Sequence, residues 1–278
     1  MTDVPANDPV DPGSLETIAY EKRDGVAVIT LDRPERHNAI NGAMSVELPR
    51  VWADVKSDPA VSVAVVTGAG AKALCAGFDV SDIASGTASV GEEKDRGTLA
   101  SLKLTALQNR CWKPVITAVN GMATAGGLHF VADSDIVICS DTATFFDGHV
   151  AVGLIAGCEP IGLARRMPLE PVLRMALTGG RERLGAARAL ELGLVSEVLP
   201  PAGLMPRAIE LARQVAENSP AAIAATKQAI WESLDLGLAD ALELGWDVIG
   251  EYRGHPDPIE GARAFMEKRK PRWAPLSM

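Results

Sequence analysis

No apolar run in this 278-residue chain reaches the roughly 18 residues that a helix needs to cross a bilayer. The opening "MTDVPANDPVDPG" is acidic and proline-rich, which excludes a secretory signal and predicts a disordered leader over residues 1–13. Basic residues are in deficit, 27 Lys and Arg against 36 Asp and Glu, for a net charge of −9. That balance argues against nucleic acid or a membrane surface as the main partner, because both reward a basic face. A local cluster of Lys and Arg is still able to take an anionic ligand. Cysteine is scarce: Cys75, Cys111, Cys139 and Cys158 are widely spaced, with no CxxC pair and no metal-ligand spacing. Reduced, mostly buried thiols, a cytoplasmic location and no bound metal are therefore expected. There is no GxSxG and no HExxH, and "GAGAKAL" (68–74) lacks the Lys-Ser/Thr ending of a phosphate-cradling loop. A dinucleotide fingerprint is also missing, so no nicotinamide cofactor is implied.

What is present is alternation. "VAVITL" (26–31), "VSVAVVTG" (61–68), "KPVITAVNG" (113–121), "SDIVICS" (134–140) and "LVSEVL" (194–199) read as strands, and "GAMSVELPRVWADVKSD" (42–58) has helical spacing. Strands interleaved with helices predict an α/β architecture with parallel pairing. Residues 80–97 are small, polar and aperiodic and read as a mobile loop, followed by a helix over 99–110. Three amphipathic segments beyond residue 204 end at Pro or Gly and predict a helical region over 204–278, behind a core over 14–203.

In "AVNGMATAGGLHFVADSDIVIC" (118–139), two apolar runs flank a stretch too small and flexible for ordinary core, and a histidine follows it. Together with "RPERHNAI" (33–40), "KALCAGFDVSDI" (72–83) and "ATFFDGHVAVGLIAG" (143–157), in this order and spacing, it closely resembles the crotonase superfamily of enoyl-CoA hydratases and isomerases. The resemblance covers about residues 15 to 270 and includes "EGARAFMEKRKPRW" (260–273). It implies a spiral of ββα units, a C-terminal helical trimerisation region, a homotrimer or dimer of trimers, and an acyl-CoA thioester substrate. Coenzyme A then enters with the substrate, and no separate cofactor is expected.

A thioester carbonyl gains negative charge as it enolises, and two preorganised backbone N–H groups stabilise that oxygen. By resemblance the donors are Phe78 and Gly126, the second beside a segment that reads as the first turn of a helix. Glycines there could instead serve tight packing alone. The hydratase branch carries two glutamates, and both are missing here. His129 takes the first position and His149 the second, although a shift of one residue would put Val150 there. Imidazole can give or take a proton near neutrality, and a helix N-terminus disfavours its charged form, so His129 is expected to be a base or a hydrogen-bond donor. It could equally be a paired core histidine. Asp147 or Glu159 could orient His149, or Asp147-Gly148 could simply make a turn with His149 exposed.

The resemblance places Arg33, Ala39, Ala73 and Cys75 near the pantetheine and adenine, and Phe265 and Lys268 near the nucleotide end. The run Lys268, Arg269, Lys270 and Arg272 suits phosphate, or is a solvated face. The leading expectation is an acyl-CoA enzyme of the hydratase/isomerase kind with a histidine pair. Retro-Claisen cleavage of a β-dicarbonyl by His149 is one alternative, and a catalytically silent acyl-CoA binder is another.

Overall fold

The computed structural model describes residues 10–81 and 102–276. Its main sheet has six strands in the order β1 (Ile18–Arg23), β2 (Val26–Leu31), β3 (Val63–Gly68), β5 (Val115–Val119), β7 (Ile136–Ser140) and β10 (Glu197–Leu199). Only β1 runs antiparallel to its neighbour. A second sheet orders β4 (Ala73–Cys75), β6 (Met122–Thr124), β8 (Thr144–Phe146) and β9 (Leu184–Gly185), with β4, β6 and β8 mutually parallel. Each of β3, β5 and β7 passes into β4, β6 and β8 in turn, so the chain winds as a spiral of paired strands.

The main sheet is covered on both faces, which is why its central strands read as unbroken apolar runs. On one face Ala27, Ile29, Leu31, Ala64 and Val66 pack with Met44, Leu48 and Trp52 of helix α1 (Gly42–Ser57). On the other, Val26, Val63, Val65, Ile116 and Ile138 meet Leu204, Ala208 and Ala212 of the helix Pro201–Ala216. The two faces alternate residue by residue, as the pleat requires. The expected boundary at 203/204 falls inside that second helix, which covers the sheet.

Chain order numbers the remaining helices α2 (His129–Ala132), α3 (Cys158–Leu163), α4 (Leu169–Leu177), α5 (Ala186–Glu191), α6 (Pro201–Ala216), α7 (Pro220–Ser233), α8 (Leu238–Tyr252) and α9 (Asp257–Met266). Two start on side-chain caps: Met44 N donates to Asn41 Oδ1 at 2.9 Å, and Ala222 N to Ser219 Oγ at 3.1 Å.

Two expectations need correction. The leader is not free over its whole predicted length: Val10 is buried in the core and donates its N–H to Asp54 Oδ1, and Pro12–Ser14 form a turn. Burial of one apolar side chain and a carboxylate acceptor anchor the segment; residues 1–9 lie outside the described residues. The helix predicted over 99–110 is not formed where it is described. Residues 104–110 make successive turns, held by Trp52 Nε1 donating to Leu104 O (2.9 Å) and Gln108 Oε1 accepting from Leu104 N (2.9 Å). The rest of that helix, and residues 82–97 of the loop predicted over 80–97, lie outside the described residues; Val80 and Ser81, at its start, are helical instead.

Lys113 is buried just before β5, where its ammonium donates to Val55 O (2.7 Å) and Asp58 O (2.6 Å) at the end of α1. Burial pulls its pKa down, yet the carbonyl ends of the helix hold the charge in place. Lys113→Met should therefore cost about 3 kcal/mol, because two carbonyl acceptors lose their partner. A urea midpoint unchanged from wild type would contradict this.

Candidate active site

The strand order β4-β6-β8 sets three carboxyl ends side by side, with Cys75 paired to Ala123 and Thr124 to Phe146. The chain leaving β4 carries Gly77 and Phe78, that leaving β6 carries Ala125 and Gly126, and that leaving β8 carries Asp147 and His149. Residues dispersed over 72 positions of sequence are thus gathered at one sheet edge.

The first two turns touch. Gly77 has φ +85°, and a Cβ there would lie 2.8 Å from Ala125 Cβ and 3.0 Å from Gly126 N. A Cβ on Gly126 would meet the Phe78 ring at 3.1 Å. Ala125 itself takes φ +48°, uncommon for a residue with a side chain. Ile40 bridges Phe78 in parallel: Ile40 N donates to Gly77 O (2.8 Å), and Asp79 N donates to Ile40 O (2.9 Å). In a trans peptide the N–H points opposite to the preceding C=O, so the Phe78 N–H is turned away from Ile40. Gly126 is the second residue of the 3-10 turn Ala125–Leu128, and its N–H precedes the first helical bond. Neither amide has an acceptor among the described residues. Gly127 serves packing instead, since a side chain there would run into the Cys75 carbonyl.

His129 opens α2 and is 4% exposed. Its Nδ1 lies 3.2 Å from Gln108 Nε2 and 3.8 Å from Asp133 Oδ2. Its Nε2 is 3.4 Å from Glu159 Oε1 but poorly aligned, so that it is buried without a hydrogen-bond partner. His149 Nδ1 sits 2.9 Å from Asp147 Oδ1, and the same oxygen accepts the His149 N–H at 2.9 Å. Asp147 is fully buried, and its Oδ2 has no partner. The Asp147 hydrogen bond, with the charges of Asp147 and Glu159, raises the His149 pKa above the ordinary imidazole value against the opposing pull of burial. His149, and not Val150, is thus the residue that Asp147 orients; Val150 is 40% exposed.

Glu159, buried near the start of α3, lies beside His129 and within 4.8 Å of His149. Donor atoms of Asp147, His149 and Glu159 all lie within 4.8 Å of one another. Three such groups could hold a cation, but a first-row metal needs ligands at about 2.1 Å from a common centre. The direct 2.9 Å His149–Asp147 bond suits proton sharing better. Of four buried side-chain atoms without partners among the described residues, His129 Nε2, Asp147 Oδ2 and Thr124 Oγ1 belong to this region.

The residues expected along the ligand's far end are dispersed. Arg33 donates to Ala39 O (2.6 Å) and to Asp79 Oδ2 (3.2 Å), so its charge is already matched. A hydrogen bond from Ser81, with Arg33 beside it, holds the Asp79 carboxyl below its usual range. Ala73 lines a cleft of about 260 Å³ with Pro34, His37, Asn38 and Lys72. Its carbonyl is fixed by Asn38 Nδ2 (2.8 Å) and Asn120 Nδ2 (3.1 Å). Cys75 is wholly buried, and its thiol is pushed up to about 12 by burial, so its side chain contributes packing. Cys111 and Cys139 are likewise buried, whereas Cys158 is exposed. Phe265 is 87% exposed on α9, and Lys268 follows that helix at φ +51°. The neighbouring Arg269 is paired with Glu260 (2.6 Å) and Glu267 (2.6 Å).

A larger cleft, about 760 Å³, runs past Ile136, Arg166, Lys227 and Trp231 and contains none of the candidate residues. Lys227 and Trp231 there are both engaged by Asp135, at 2.8 and 2.7 Å. The unpaired polar atoms lie instead at the charged cluster of His129, Asp147, His149 and Glu159.

Residues 21–275 match the family described as enoyl-CoA hydratase/isomerase. The chain is 34% identical over 255 residues to (E)-benzylidenesuccinyl-CoA hydratase of Thauera aromatica, covering 91% of this chain and 97% of that one. It is 35% identical over 263 residues to carnitinyl-CoA dehydratase of Escherichia coli K12, covering 93% and 98%. Among solved structures, an enoyl-CoA hydratase/isomerase from Mycobacterium paratuberculosis superposes with a TM-score of 0.85 at 39% identity, covering 94% of this chain and 99% of that one.

Proposed function

Because the chain belongs to the enoyl-CoA hydratase/isomerase family, we propose that it adds water to, or removes it from, an α,β-unsaturated acyl-CoA thioester. The observation that carries this reading is the contact of the Gly77-Phe78 and Ala125-Gly126 turns, with two unpaired amides beside a buried acid and two imidazoles. The activities named for two relatives, a hydratase and a dehydratase, are one reaction in opposite directions.

In this reading the thioester oxygen accepts from the Phe78 and Gly126 N–H groups. Glu159 takes a proton from water as its oxygen bonds to Cβ, and the π electrons move through Cα to the thioester as an enolate held by the amides. The imidazolium of His149 protonates Cα as the enolate collapses, and Glu159 then returns its proton to His149 through one bridging water, their atoms lying within 4.8 Å. No cofactor is needed beyond the coenzyme A that the substrate carries. Its nucleotide end would use the cleft lined by Ala73, with Arg33 and Ala39 shaping the wall and Phe265 and Lys268 supplied across a subunit contact. The test is a panel of enoyl-CoA esters followed at the thioester absorbance, with binding measured by calorimetry. Turnover supports the reading, and affinity without turnover on any ester would favour a silent binder.

His149 acting as an acid predicts a particular pH profile. Its raised pKa should set an alkaline limb in kcat/KM above the ordinary value of about 6.5. Asp147→Asn removes the largest cause of that shift and should move the limb to lower pH. Stability follows the same sign: the pair's contribution is complete below the unfolded value and lost as pH rises through the folded one. The urea midpoint of wild type should accordingly fall more steeply above about pH 6.5 than that of His149→Gln. A limb that ignores Asp147→Asn would rule out His149 as the acid.

The tight His149–Asp147 pair also favours a second reading, in which His149 activates water against a ketone carbonyl and a C–C bond breaks to release an enolate. His149→Ala would then abolish cleavage of a β-dicarbonyl while ligand affinity survives, and retained cleavage would reject it.

We also propose a homotrimer or a dimer of trimers in the cytoplasm. Leu238, Leu242, Trp246 and Ile249 form an exposed stripe at helical spacing on α8, which buries no residue within its own chain. Native mass spectrometry returning only the single-chain mass would refute the assembly. Among the described residues no helix is long and apolar enough to cross a membrane.

A further inference from the structure

We infer that Gln108 and Asp133 are positioning residues that fix the tautomer of His129, keeping its proton on Nε2 and making it a hydrogen-bond donor at the site. The inference rests on the reading that His129 faces the substrate, and it assigns that imidazole a role distinct from the base.

The argument begins with the orientation of one amide. Gln108 Oε1 accepts from Leu104 N at 2.9 Å, and Gln108 Nε2 donates to Asp133 Oδ2 at 3.0 Å. The opposite orientation would set an amide oxygen against a carboxylate and an NH2 against a backbone N–H, two repulsions at a buried site. With the oxygen committed to Leu104, the second hydrogen of Nε2 is directed to His129 Nδ1 at 3.2 Å. An amide NH2 can only donate, so Nδ1 accepts through its lone pair and the ring proton resides on Nε2. Asp133 is held in turn by Thr105 Oγ1, which donates to the same oxygen at 2.8 Å. At 3.8 Å from Nδ1, that oxygen is too far to take the ring proton itself.

The consequence lies at the other nitrogen. Nε2–H is buried without a partner and 3.4 Å from Glu159 Oε1. It is therefore a donor awaiting an acceptor: the Glu159 carboxylate, or the water that Glu159 activates. An imidazole held this way cannot act as base through Nε2, which leaves proton removal to Glu159. The clamp also explains why a turn segment far from the glycine motifs is packed into the core, since Gln108 and Thr105 are both buried there.

The test is a long-range proton–nitrogen NMR correlation on protein labelled with 15N histidine, with His129 assigned by the signals absent from His129→Asn. Wild type near neutral pH should show Nε2 protonated and Nδ1 unprotonated. Gln108→Leu should give mixed tautomers and an about tenfold lower kcat, with KM changed less than about twofold, since alignment is lost and binding is not. A wild-type spectrum with the proton on Nδ1, or a Gln108→Leu spectrum identical to wild type, would overturn the clamp. If Gln108→Leu does not fold, the wild-type spectrum alone decides. Full activity of His129→Asn alongside the expected spectrum would remove His129 from catalysis and leave the clamp standing.

Discussion

Glu159→Gln should lower kcat for enoyl-CoA hydration about a thousandfold, with KM shifted by no more than about threefold. The amide has nearly the same shape, so the packing of this buried residue between the two histidines is kept. What it loses is the ability to take a proton, which the proposed reaction requires as water adds to Cβ. Glu159 lies 3.4 Å from His129 Nε2 and within 4.8 Å of His149. Asp147 is committed to His149, and Asp133 to Gln108 and Thr105. Initial rates at the thioester absorbance, over a range of substrate concentration, measure both constants. A loss smaller than about tenfold would mean that Glu159 is structural and that the base lies elsewhere.

Gly77→Ala carries the second large effect. At φ +85° any Cβ is strained, and this one would press on Ala125 Cβ at 2.8 Å and Gly126 N at 3.0 Å. Either turn must move, and the two amides separate. Removing one donor from such a pair typically costs 10²–10³ in kcat, so a loss of about a hundredfold is expected. The backbone penalty should lower stability by about 1–2 kcal/mol. Measured together, kcat and the unfolding midpoint distinguish the two contributions: a folded variant with nearly full activity would show that the turns need not converge.

The sequence made some of this legible and hid the rest for identifiable reasons. β2, β3, β5 and β7 were visible because burial on both faces gives continuous apolar runs. β4, β6 and β8 span three residues each, too few for any period to show, although they bring the site together. Gly77, Gly126, His129 and His149 stood out by residue type. The outward turn of the Phe78 amide did not, because Ile40, 38 positions earlier, determines it. Asp133 could have been found from its i+4 spacing to His129 in "HFVAD". Gln108 had no such signal: it sits in a turn that reads as helix, and its amide matters only once Leu104, Asp133 and His129 surround it. Arg33 shows what residue type alone hides: the motif displays a cation, and only the fold reveals that Asp79 pairs with it.

In the proposed reaction the donors, at Phe78 and Gly126, are main-chain groups, whereas the proton-handling groups are side chains on separate turns of the spiral. Single-codon changes can therefore exchange a carboxylate for an imidazole, or move the acid from one loop to the next, while the anion-stabilising cradle persists through every intermediate. On that reading, a scaffold divided in this way can drift between chemistries without ever passing through a form that has lost its hold on the proposed enolate.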